Sequence, residues 1–139
     1  MLSAIPLWAL LTCVVVAFKG ADPPEPFYWS TDCYTSDIHW LEKGPDNKEE
    51  IKHKPGTDST YDWMLTKTVC DHSFYPDAHY INGRCVAANY DSPIHLPNFS
   101  SECANVAHSG FYQIGEDGLP DYGRKYYGVG VGHGYKYNT

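Results

Sequence analysis

The stretch Tyr122–Thr139, YGRKYYGVGVGHGYKYNT, decides how the second half of this chain is read. Glycine alternates with valine and histidine from Gly128 to Gly134, and tyrosines flank the run. One reading is a flexible, low-complexity end. The other is a strand whose glycines allow a ligand or a second backbone to approach closely. Composition alone does not separate the two. Arg124, Lys125 and Lys136 stand among the tyrosines. Cations interleaved with aromatic rings can hold phosphate and stack bases. Arg124, Lys125, Tyr126 and Tyr135 are therefore candidates for binding RNA or phosphate.

Upstream the texture is that of short β-runs: Tyr61 to Val69, Arg84 to Tyr90, Val106 to Ile114 and Tyr126 to Val131. Turn-forming stretches separate them, YPDAHYING, DSPIHLPN and GEDGLPDYG. Before the first run lies IHWLEK, 38–43, with Ser36 or Asp37 as a cap and Ile38 and Leu41 on one face. This predicts a short helix ending at Gly44-Pro45. The charged stretch DNKEEIKHKPGTDS, 46–59, reads as an exposed loop. One short helix followed by a small antiparallel sheet is an α+β domain, here stabilised by disulfides.

The chain begins with an apolar run, Leu7 to Phe18, too short to span a bilayer and suited to a signal-peptide core. A leader over 1–17 is expected, with cleavage between 17 and 21, then a proline-rich extended lead-in over 18–26 and one secreted domain over 27–139. Removing the leader takes Cys13 and leaves Cys33, Cys70, Cys85 and Cys103. An even count in a secreted chain reads as two disulfides, with three possible pairings. Cys70–Cys85, a local staple, with Cys33–Cys103, a long-range tie, is the favoured arrangement. The net charge of −7 argues against a general nucleic-acid or membrane binder. The mature protein is read as an extracellular monomer. Asn98-Phe99-Ser100 is an N-glycosylation sequon after Pro97, which suits a surface loop.

Seven histidines invite a search for acid–base chemistry. His39 and His53 read as packing or solvated residues, and His72 as a cover for a disulfide. His79, His95, His108 and His133 fall in or beside the β-rich half. A histidine pair near its ordinary pKa can remove the proton of a ribose 2′-hydroxyl and protonate the leaving oxygen, with a cation on the phosphorus centre. The spacings contain no metal motif, and no cofactor is implied.

Four segments, in order, resemble the microbial guanyl-specific ribonuclease family and the secreted fungal proteins that share its fold. They are CYTSDI (33–38), FYPDAHY (74–80), SPIHLPNFSS (92–101) and GVGVGHG (128–134). The resemblance implies that His133 stands at the general acid, that His95 replaces the general-base glutamate, and that His79 is displaced by the inserted Asp77-Ala78. The family's arginine has no counterpart near 106–114. The resemblance implies a ribonuclease-like scaffold whose catalytic residues are altered and whose activity is lost, acting as an effector that binds a protein or RNA partner. The alternatives are an active endoribonuclease using paired histidines, with His79 and Arg124 near the phosphate, and a precursor cleaved at Gly123-Arg124-Lys125.

Overall fold

The computed structural model describes residues 22–136. The leader expected over 1–17, its cleavage site and Cys13 lie outside the described residues. The strands are β1 (Phe27–Tyr28), β2 (Ser30–Lys43), β3 (Glu49–His53), β4 (Thr60–Tyr61), β5 (Ala78–Ile81), β6 (Arg84–Ala87), β7 (Ile94–His95), β8 (Phe111–Ile114) and β9 (Pro120–Tyr135). The helices are α1 (Trp63–Val69), continued by a π-helical turn over Cys70–Phe74, and α2 (Leu96–Ser109). The fold is α+β, with a sheet larger than the sequence implies. Its central order is β5-β6-β2-β9-β8, and β3 and β4 also pair with β2. All these pairings are antiparallel.

Several sequence expectations are corrected. IHWLEK is the end of β2, not a helix. Strand β9 pairs with β2 from Ser30↔Tyr135 to His39↔Tyr127, and β3 pairs with it from His39 to Lys43; this tertiary pairing outweighs a weak local helical pattern. The charged stretch after it contains a true strand, β3, paired with β2. The segment Tyr61–Val69 is mostly helix. Asp62 caps it by accepting from the Leu65 amide at 3.0 Å, and Leu65, Thr66 and Val69 form its buried stripe. The segment Leu96–Ser109 is helix as well, so the expected strand Val106–Ile114 survives only as Phe111–Ile114. Pro97 sits in its first turn, and Phe99, Cys103 and Ala107 recur every fourth residue on its buried face. The lead-in is not simply extended. It turns at Glu25-Pro26, and Lys136 Nζ donates to the carbonyls of Pro23 and Phe27 at 3.1 and 2.9 Å.

The glycine-rich stretch is a strand with two unlike faces. A Cβ at Gly130 would meet the Cys103 carbonyl, one at Gly132 the backbone of Ser100, and one at Gly134 the ring of Tyr28. The alternate residues Val129, Val131 and His133 are exposed. Helix α2 therefore lies against the glycine face. Ser100 Oγ accepts from the Gly132 amide at 2.9 Å, so the helix also satisfies a backbone donor of the strand.

Both expected disulfides are present, Cys33–Cys103 and Cys70–Cys85. The first ties β2 to α2, and the second ties the π-helical turn to β6. All four cysteines are buried with Leu65, Val69, Phe99 and Phe111 in one core. Both helices thus cover the same face of the sheet. Two disulfides fit an oxidising compartment. Among the described residues no helix is long and apolar enough to cross a membrane.

Candidate functional site

Alternation along β2 sends Cys33 and Thr35 into the core and Asp32 and Tyr34 to the opposite face. Asp32 is paired in register with His133 on β9. On its other side β6 pairs Cys85 with Thr31, so one step along the register brings Arg84 to the level of Asp32. Arg84, Asp32 and His133 form a row across three strands, on the face away from both described helices.

Aromatic rings hold this row together. Tyr135 donates its hydroxyl proton to the Asp32 carboxylate, at 3.2 Å from Oδ1 and 2.9 Å from Oδ2. The Arg84 guanidinium carbon lies 3.6 Å from the centroid of the Tyr135 ring, a cation–π stack. His133 stacks on Tyr34, with centroids 4.1 Å apart and planes 14° from parallel. Tyr61 packs edge-on against Tyr34 at 6.1 Å and donates to the Gly83 carbonyl.

Asp32 is only 4% exposed. Burial raises its carboxyl pKa; the Tyr135 hydrogen bond and the positive charges of Arg84 and His133 pull the other way without cancelling it. The Tyr135 hydroxyl is held well above its ordinary pKa, first by burial and then by Tyr34 and Asp32. Burial raises Tyr61 similarly. These phenols are therefore neutral donors at physiological pH. The row offers one fixed cation, one exposed imidazole and one buried carboxylate.

The other candidates are distributed elsewhere. His95 caps α2, its Nδ1 accepting from the Asn98 amide at 3.3 Å, and packs on Phe27. It belongs to the helix side of the sheet, whereas His133 faces the open side. His79 is exposed and shares the open face. Its row runs through Val86 and Ser30 to Tyr135, three strand spacings or about 14 Å from β9. It also meets Tyr75 edge-on at 5.4 Å. Arg124 is engaged by Glu42 at 2.7 Å. It lies nine residues from His133 along β9, about 30 Å in an extended strand. Lys125 sits over the rings of Tyr112 and Tyr127, and Tyr126 packs on Trp40 and Phe111. Of the four cation and tyrosine candidates, only Tyr135 joins the row. Asn98 is exposed in the first turn of α2 rather than in a loop.

Sequence reasoning missed Asp32 and Arg84. Each sits beside a cysteine, and only strand pairing reveals that they flank one another. No protein-family model, no curated protein and no solved structure matches this chain.

Proposed function

We propose that the protein is a secreted recognition protein, a ribonuclease-like scaffold whose histidine pair is not assembled, and that it binds its partner over the helix-free face of the sheet. The observation that supports this reading is that His95 caps α2, the helix on the glycine face of β9, while His133 is exposed on the alternate face. Two-histidine acid–base catalysis needs both rings within reach of one ribose phosphate. The open face has the makings of a contact surface instead. Ile81, Val129 and Val131 are exposed there, around the rigid aromatic groups of Tyr34 and Tyr135. Arg and Tyr are residue types that dominate interface energetics. Disulfide stapling and the exposure of the sequon residue Asn98 agree with an extracellular effector.

One observation favours a second reading, an endoribonuclease with a single histidine. Arg84 supplies the cation that the sequence lacked in the expected place, and it shares a row with His133 and Asp32. His133 would act as acid and the Asp32 carboxylate as base.

A single experiment separates the two. The oxidised protein is incubated with a labelled single-stranded RNA, alongside His133→Ala, Arg84→Ala and Asp32→Asn. The recognition reading expects intact RNA throughout. Cleavage by the wild type that disappears in all three variants would replace it with the second reading.

A further inference from the structure

His39 and His53 come from segments separated by a turn and a run of charge, yet β2 and β3 set them directly opposite one another. The Lys54 amide donates to the Ile38 carbonyl at 2.8 Å. That makes the adjacent pair hydrogen-bonded and leaves His39 and His53 in a non-hydrogen-bonded position, where cross-strand side chains stand closest. Their ring centroids are 5.9 Å apart.

A backbone irregularity aims the first of these rings. The pairing of β2 with β9 slips between Ser36 and His39, and Asp37 has a φ of 54°. Bulges redirect side chains, and a non-glycine residue at positive φ is held there by its surroundings. The Asp37 carbonyl lies 3.1 Å from His39 Nδ1. A carbonyl only accepts, so Nδ1 carries the proton and the neutral ring presents its lone pair at Nε2. A backbone carbonyl fixing the tautomer in this way is the usual arrangement behind a metal-binding histidine. A cavity of about 500 Å³ opens beside the two rings, with Asp37, His108 and Tyr127 also on its wall.

We propose that His39 and His53 form a two-histidine chelate for a transition-metal ion of the Zn²⁺, Ni²⁺ or Cu²⁺ type. Imidazole nitrogen suits these ions, and carboxylate-preferring Mg²⁺ or Ca²⁺ would find too few oxygens. Among the described residues no three His, Cys, Asp or Glu side chains already converge on one point. The protein therefore supplies two ligands, and water fills the remaining positions. Strand β3 is exposed along its whole length and, among the described residues, pairs only with β2. A bound ion would clip its end to β2 where no apolar core does.

The test is calorimetric titration of the untagged, oxidised protein with zinc chloride. The wild type is compared with His53→Ala, His39→Ala and His72→Ala. His53 is exposed, so its removal leaves the core intact. One ion should bind per chain in the wild type and in His72→Ala, at least tenfold more weakly in His53→Ala and His39→Ala. Saturating zinc should raise the thermal midpoint of the wild type and not that of His53→Ala. No uptake by the wild type at millimolar zinc, or an affinity unchanged in His53→Ala, would overturn the assignment.

Discussion

Gly130 lies so close beneath Cys103 that a methyl group on it would collide with the Cys103 carbonyl oxygen. The obstacle is helix backbone, which cannot rotate away. Gly130→Ala should therefore separate α2 from the sheet and cost about 3 kcal/mol, at the upper end for overpacking a core. Urea unfolding of the variant gives the value. A loss below about 0.5 kcal/mol would mean that the helix does not rest on the strand in this way.

The two disulfides should differ in weight. Cys33–Cys103 spans 70 residues and Cys70–Cys85 spans 15. Loop-closure entropy assigns about 4.4 kcal/mol to the longer tie and about 3 kcal/mol to the shorter. Paired Cys→Ser variants, compared by chemical denaturation, should keep that order. The opposite order would show that native packing, rather than the unfolded chain, sets their contributions.

Asp62 serves two elements at once. Its carboxylate accepts from the Leu65 amide and from Thr35 Oγ1, each at 3.0 Å. Asp62→Ala should cost about 2 kcal/mol, the sum of a lost cap and a side-chain hydrogen bond. Asp62→Asn keeps one acceptor oxygen and should recover roughly half of that. Equal losses in the two variants would point to a requirement for the charge itself.

Asp32 makes stability depend on pH with a definite sign. Its folded pKa is raised from 3.8 by burial, so the native state holds this proton more tightly than the unfolded chain. The group's contribution is most favourable below its ordinary pKa. It declines as pH rises from there to the folded value and is constant above. Asp32→Asn removes the titration. The variant should gain on the wild type between pH 3 and pH 7, measured as the difference in unfolding free energy at each. A difference that does not change with pH would show that burial leaves this carboxyl unshifted.

The chemistry of the cysteines was legible because an even set in a secreted chain has few arrangements. The α+β class was legible too, from turn residues and short apolar runs. The helices were not. IHWLEK has a helical spacing of Ile38 and Leu41 but becomes strand, since β3 pairs along it from His39 to Lys43. LPNFSSECANVAHS carries a real helix signal in Pro97 and the four-residue spacing of Phe99, Cys103 and Ala107, masked by its likeness to a strand motif. The row at Asp32 was invisible for another reason. Arg84, Asp32 and His133 are 49 or more residues apart in one case or another, and register is a property of paired strands, not of either strand alone. His39 and His53 were hidden in the same way.

The alternation of β9 divides its positions between two sets of constraints. Gly130 and Gly132 must remain glycine for α2 to dock. Val129, Val131 and His133 face away from α2, and of these His133 also stacks on Tyr34. Positions 129 and 131 can therefore be exchanged together without disturbing the docking of α2. An engineer can thus revise this side of the strand while the architecture beneath it stays unchanged.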